Sequence, residues 1–280
     1  MDALLGRPPQ QIGDAGESID DDEADGVDDG WWDLLPFTTH RIPLAPGIET
    51  ANVGVNALED VRTELVIEAC AGSLDGRTVV DLGCLEGGFT LAFAQNGAQL
   101  ALGIEAREIS VRRCELARDL LGLRTAEFVE ADIKDELAKR EPFDVVFAAG
   151  ILYHVADPAR FLVTMREACS GIALIDTHVA RVDEVTHGCS EIITSASGDR
   201  TYRGRMFPEY APDVTVSEKG DLLWAAWSDI DSFWPLEEDL VAMIKDAGFA
   251  SAEKIDLAGD GRASRWGVDQ TNRVVYIARV

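Results

Sequence analysis

Val79-Val80-Asp81-Leu82-Gly83-Cys84-Leu85-Glu86-Gly87-Gly88-Phe89 decides how the rest of the 280-residue chain is read. A short apolar run of strand length ends in an acid, passes through a glycine-containing turn and enters Phe89-Thr90-Leu91-Ala92-Phe93-Ala94, which has the composition of a helix. Strand, glycine turn and helix in that order build a ligand site at the carboxyl end of the first strand of an open α/β sheet. Glycine permits the sharp turn and a close approach of backbone to ligand where a Cβ would clash.

The glycines fall at 83, 87 and 88, so the dinucleotide pattern G-x-G-x-x-G is absent. Asp81 stands directly before the turn, where its charge opposes a pyrophosphate. A ligand with an adenosine part, no phosphate and a positive charge suits such a turn better. S-adenosylmethionine, with its ammonium, sulfonium and adenosine, has that chemistry.

Working outward, strands and helices alternate. Leu100–Glu105 reads as a second strand ending in an acid, residues 107–121 as an amphipathic helix, and Ala126–Val129 as a third strand running into Ala131-Asp132-Ile133. Phe143–Ala149 is a fourth strand, Pro158 opens a helix to Ala168, and Ile172–Asp176 is a fifth strand. Leu236–Gly248 is helical again, and Ala252–Leu257 and Arg273–Ala278 make a closing hairpin. The expected fold is α/β: a doubly wound, mostly parallel, seven-stranded Rossmann-like sheet. Upstream, Asn56 with Glu59 three residues on reads as a capping box for a helix bearing Leu58, Val61, Leu65 and Ala69. Prolines in the segment before it exclude a helix there.

Two stretches depart from this alternation. Residues 1–30 are rich in Asp, Gly and Pro and are expected to form a disordered acidic tail, followed by one domain over 31–280 that opens on Trp31-Trp32 as a packing anchor. Residues 177–235, inserted after the fifth strand, carry Arg200, Tyr202, Arg203 and Arg205, then Trp224, Trp227 and Trp234. An insertion of this length reads as a lid over the carboxyl ends of the strands. Its arginines suggest an anionic or polar acceptor, and its tryptophans an apolar body.

Bulk charge narrows the partners. The net charge is −26, residues 1–33 hold eleven acids against one arginine, and the first lysine is Lys134. Nucleic-acid affinity rests largely on Lys and Arg neutralising phosphates, so a nucleic-acid partner is disfavoured. No run approaches the roughly 20 apolar residues of a membrane span, and Met1–Arg7 lacks the pattern of a secretion signal. The five cysteines show no C-x-x-C spacing, which reads as reduced thiols in a cytoplasm and no metal site.

The acids carry the chemistry. Asp81, Glu105 and Asp132 each fall at the carboxyl end of a neighbouring parallel strand and converge on one crevice. Glu105 is placed to accept two ribose hydroxyls, and Asp132 to accept from an adenine amino group with the Ile133 backbone beside it. Asp81 and Gly83 serve the methionine end, and Gly87, Ala106 and Ala149 complete the expected cofactor contacts.

Together, Val79–Gly88, Glu105, Asp132 and Phe143–Val155 resemble the class I S-adenosylmethionine-dependent methyltransferases, over residues 55–180 or so. More narrowly, Ala149-Gly150-Ile151-Leu152-Tyr153-His154, the upstream Ile42-x-Leu44-x-x-Gly47-Ile48-x-Thr50 and Ser232-Phe233-Trp234-Pro235 are similar to the branch that includes the tRNA wobble-uridine carboxymethyltransferases. In those enzymes lysines and a tryptophan upstream of the glycine loop, a tyrosine and a late arginine grip a carboxylated cofactor. Tyr153 and Arg273 match the last two by position, and no lysine precedes Lys134. The resemblance therefore implies methyl transfer from S-adenosylmethionine.

In such a transfer an oxygen, nitrogen or carbon attacks the methyl group in line, and orientation in a dry pocket is the largest contribution. A nucleophile that arrives protonated needs a base. His154, just past the fourth strand, is the first candidate and His178, just past the fifth, the second. His40 and His187 carry less support, and Tyr153 is placed to shape the methyl pocket. The expected acceptor is a small molecule of natural-product or lipid type. The alternatives are a tRNA-modifying (carboxy)methyltransferase and a non-catalytic cofactor-binding protein.

Overall fold

The computed structural model describes residues 37–51, 54–183, 189–211, 214–215, 222, 225–257 and 272–280. The expected acidic tail, Trp31-Trp32, His187 and Trp224 lie outside the described residues.

The prolines before the first helix leave a small hairpin, β1 (Pro43–Ala45) against β2 (Ile48–Glu49). Then α1 (Val61–Ala69), β3 (Thr78–Leu82), α2 (Gly88–Gln95), β4 (Leu100–Glu105), α3 (Glu108–Leu121), β5 (Ala126–Glu130), α4 (Ile133–Leu137) and β6 (Phe143–Ala149) follow in alternation. After a 3-10 turn at Leu152–His154 come α5 (Pro158–Glu167) and β7 (Cys169–His178). The chain closes with α6 (Glu237–Asp246), β11 (Ser251–Lys254) and β12 (Arg273–Arg279). The seven-stranded sheet has the order β11-β12-β7-β6-β3-β4-β5. Only β12 runs against its neighbours, pairing antiparallel with both β7 and β11.

Strand residues alternate between two cores, as a sheet covered on both faces requires. Val80, Leu82, Leu102, Ile104, Val146 and Ala148 pack with Phe161, Leu162 and Met165 of α5 and Leu240, Met243 and Ile244 of α6. Val79, Ala101, Val145, Phe147, Ile172 and Leu174 pack on the opposite face with Val61, Leu65 and Val66 of α1 and Leu91 and Phe93 of α2. The sheet order reverses at β3, between β4 and β6, which puts the crevice for a ligand at the carboxyl end of β3.

Two local expectations are corrected. The cap of α1 is Asp60, not Asn56: Asn56 Oδ1 instead accepts from the Leu58 N–H in a preceding turn, and Asp60 Oδ1 accepts from the Arg62 N–H at 2.9 Å. Asp60 prevails because it also accepts from the Arg62 guanidinium. The fifth strand is longer at both ends, Cys169–His178, so His178 is its last residue, paired in register with Arg273 of β12.

The insertion folds as an antiparallel sheet of its own, in the order β10 (Asp231–Pro235), β9 (Arg200–Pro208), β8 (Ile193–Ser197). Its arginines are structural. Arg203 pairs with Glu238 and Asp239 of α6, Arg200 pairs with Asp246, and buried Arg205 donates to the carbonyls of Arg181 and Ser190. An anionic acceptor is therefore not indicated by these side chains.

Candidate active site

One cavity of about 390 Å³ opens at the switch point, and the carboxyl ends of β3, β4 and β6 and the residues directly after β5 contribute to its wall. Asp81, Gly83, Glu105, Ala106, Asp132, Ile133 and Ala149 line it, as do Tyr153 and His154. The three acids read from the sequence thus share one space. Gly87 and His178 do not line it.

The glycine turn explains the first of these absences. Gly83 has φ +69°, and a Cβ there would come within 3.0 Å of Ile151 Cδ1 at the cavity wall, so the missing side chain leaves room for a ligand. Gly87 has φ +75° and caps α2, but a Cβ on it would sit 2.8 Å from Cys114 Sγ and 2.8 Å from the Phe128 ring. Its role is close packing of the turn against α3 and β5. Leu85, between them, also takes a left-handed conformation at φ 53°.

Each acid is held differently. Asp81 is buried and accepts from Thr90 Oγ1 at 2.7 Å, and burial pushes its pKa up to about 7. A buried carboxylate in that condition gains from a cation beside it. Glu105 Oε1 accepts from the N–H groups of Ala106 and Arg107, while Oε2 accepts from the Leu85 N–H at 3.1 Å and keeps a lone pair for a hydroxyl. Asp132 Oδ1 caps α4 by accepting from Lys134 N–H at 2.8 Å, which leaves Oδ2 for an exocyclic amine. An ammonium, a ribose and an adenine are the groups that this donor and acceptor set fits.

The floor beside Asp81 is a buried ion network that the sequence reading did not assemble. Arg62 lies between Asp60 and Asp176, and Arg273 makes a two-pronged contact with Asp176 at 2.7 and 2.8 Å. The available signal was Asp176 at a strand's end, the same pattern as Asp81 and Glu105. Glu86 was also passed over: its carboxylate accepts from the N–H groups of Thr38, Thr39 and His40 and from Arg113, tying the first described segment to the glycine turn. His40 Nδ1 accepts from Gly88 N–H at 2.9 Å, and burial lowers its pKa to about 4, so it sits as a neutral structural ring. Arg107 joins the site to the insertion, touching Glu105 Oε1, the carbonyls of Leu222 and Ala225, and the face of Trp227. Residues 225–229 form that side of the cavity wall.

The candidate bases separate clearly. His154 lines the cavity with Nδ1 2.8 Å from Glu209 Oε2, and its Nε2 has no partner among the described residues. His178 stacks on Trp234 at 5.0 Å between ring centroids and meets Asn272 through Nδ1. Burial and the charge of Arg273 lower its pKa to about 4, which makes it a weak base, and it lies behind Tyr153 rather than in the cavity lining. Tyr153 is half-buried among His154, His178 and Trp234, with the Arg273 guanidinium 5.9 Å from its ring. Among the described residues no cluster of three or more His, Cys, Asp or Glu side chains is arranged to hold a metal, and no helix is long and apolar enough to cross a membrane.

Known proteins resemble the chain in sequence and in fold. A methyltransferase-domain family model matches residues 73–212, half of the chain. A tRNA U34 carboxymethyltransferase of Klebsiella pneumoniae is 34% identical over 116 residues, covering 40% of this chain and 34% of the relative. Its counterpart in Vibrio vulnificus is 32% identical over 156 residues, 55% of this chain and 45% of the relative. The chain spans less than half the length of these curated relatives. Among solved structures, the N-terminal domain of EvdMO1, determined in the presence of SAH and D-fucose, superposes with a TM-score of 0.64 at 24% identity over 89% of this chain and 93% of that one. That likeness concerns the fold. With the family model and the convergent acids together, the chain belongs to the class I S-adenosylmethionine-dependent methyltransferases.

Proposed function

We infer that the protein transfers the methyl group of S-adenosylmethionine to a hydroxyl oxygen of a small molecule, with His154 as the base. The observation that carries this reading is the position of His154: it lines the same cavity as Asp81, Glu105 and Asp132, with Nε2 unpartnered among the described residues. A hydroxyl arrives protonated, so a ring nitrogen facing the acceptor has a defined use. Asp81 would hold the ammonium end of the cofactor, with Gly83 giving backbone access. Glu105 with Ala106 would hold the ribose, and Asp132 with Ile133 the adenine; Ala149 and Ile151 supply wall. The cofactor brings an activated methyl group, and the chain supplies alignment, exclusion of water and a proton acceptor. The apolar Ile151, Val155, Phe161 and Trp227 in the wall favour an acceptor with an apolar body, of natural-product or lipid type.

The curated relatives raise a second reading, transfer to tRNA. Against it stand the net charge of −26 and the absence of any lysine before Lys134. The late arginine that would meet a carboxylated cofactor, Arg273, is engaged with Asp176. Incubation with methyl-labelled S-adenosylmethionine, a panel of hydroxylated small molecules and unmodified tRNA separates the two. Label in an O-methyl product that disappears in His154→Gln is expected; label in tRNA would overturn the small-molecule reading.

A further inference from the structure

The turn that carries His154 is closed locally, by His154 N–H on the Ile151 carbonyl at 2.9 Å, and is braced from outside by the insertion. Four contacts reach it from residues 209–234. Glu209 Oε2 meets His154 Nδ1 at 2.8 Å, and Asp229 Oδ2 accepts from Ala156 N–H at 2.9 Å. Phe233 N–H donates to the Val155 carbonyl at 3.0 Å, and Trp234 Nε1–H donates to the Tyr153 carbonyl at 2.8 Å.

Glu209 directly follows β9, and its side chain is 1% exposed. Its Oε2 also accepts from Ala226 N–H at 2.9 Å, beside the residues that wall the cavity. Oε1 is buried with no hydrogen-bond partner among the described residues, so the carboxylate is aimed at the histidine rather than spent on a surface ion pair. Burial pushes the Glu209 pKa up, but His154, the nearby Ser232 hydroxyl and the Ala226 N–H outweigh it and hold the group below the usual carboxylate range. An ionised carboxylate only accepts hydrogen bonds, so the ring nitrogen facing it has to be the donor. The proton then sits on Nδ1 and the lone pair on Nε2.

The geometry points to Glu209 as a positioning residue for methyl transfer: it fixes the tautomer and orientation of His154, so the insertion supplies half of the base. This rests on His154 being the base. As the acceptor oxygen bonds to the methyl carbon, the carbon–sulfur electron pair leaves with sulfur and the hydroxyl proton passes to Nε2. The Glu209 carboxylate then stabilises the imidazolium so formed.

The test reads the ring directly and needs no acceptor. In ¹⁵N-histidine-labelled protein at a pH where His154 is neutral, long-range ¹H–¹⁵N spectra report which nitrogen carries the proton. Nδ1–H is expected in the native chain, a shift toward Nε2–H in Glu209→Ala, and retention of Nδ1–H in Asp229→Ala, which removes a different bond to the same turn. An Nε2–H ring in the native chain overturns the assignment even if Glu209→Ala does not fold. An equal shift in Glu209→Ala and Asp229→Ala overturns it too, because the role would then be general support of the turn. If the methylated product carries its label on carbon instead of oxygen, the acceptor class fails while an Nδ1–H ring dependent on Glu209 still stands.

Discussion

Arg62 Nη1 lies 2.9 Å from Asp176 Oδ2, joining α1 to the end of β7 across 114 residues of sequence. Asp176 is fully buried and takes Arg273 on its other side, while Arg62 is returned to Asp60 at its own helix cap. Two guanidiniums and two carboxylates thus compensate one another beneath the cavity. Removing one member strands the rest in a dry environment, which costs about 3–5 kcal/mol. Arg62→Ala is expected to lose stability in that range by urea denaturation. Arg41→Ala, which breaks a half-exposed pair with Glu49, is expected to lose at most about 1 kcal/mol.

Gly83 and Gly87 share a positive φ but not a purpose, and alanine distinguishes them. At Gly83 the new Cβ meets the flexible end of Ile151 and intrudes on the cavity. Gly83→Ala is expected to fold with a loss of about 1–2 kcal/mol and to weaken S-adenosylmethionine binding in calorimetry. At Gly87 the Cβ meets Cys114 Sγ and the Phe128 ring below 3.0 Å. Gly87→Ala is expected to lose more stability than Gly83→Ala in thermal denaturation.

The difference between these glycines shows which parts of the site the sequence makes legible. Position along a strand is periodic, so Asp81, Glu105 and Asp132 could be placed at strand ends and brought to one crevice before any coordinates. What a glycine faces is set by another element: Gly87 meets Cys114 of α3 and Phe128 of β5, and nothing in Leu85-Glu86-Gly87-Gly88 announces them. The same holds for Glu209, which follows β9 of the separate sheet and lies 55 residues from its partner His154. Arg200, Arg203 and Arg205 misled in the opposite sense, because a cluster of charge in sequence was dispersed in space onto α6 and backbone carbonyls.

Two histidines near strand ends are the candidate bases in the sequence, His154 ahead of His178, and substitution is expected to separate them. His178→Phe keeps a ring that can stack on Trp234 and gives up the contact to Asn272. Its turnover with the labelled-methyl assay is expected to stay within about threefold of native. His154→Gln is expected to fall by roughly 10²–10⁴-fold, the usual contribution of a positioned acid–base group. Equal losses in the two variants would place the base elsewhere.

Asp81 makes the occupant of the glycine turn testable by pH. Burial raises its pKa from 3.8 to about 7. The raised value means that the stability it confers as a neutral acid, fully present below pH 3.8, is lost as the pH rises through about 7. A cationic ligand reverses that preference, since an ammonium beside the carboxylate favours the ionised form. Affinity for S-adenosylmethionine is therefore expected to fall as the pH drops below about 7, approaching tenfold per unit if only the ionised form binds. The ligand's thermal protection should grow above that pH. Asp81→Asn keeps the shape but not the charge: its calorimetric Kd is expected to be at least about tenfold weaker and flat across the same range. A native affinity that is equally flat from pH 6 to 8 would mean that the ligand's positive end is held by some other group than Asp81.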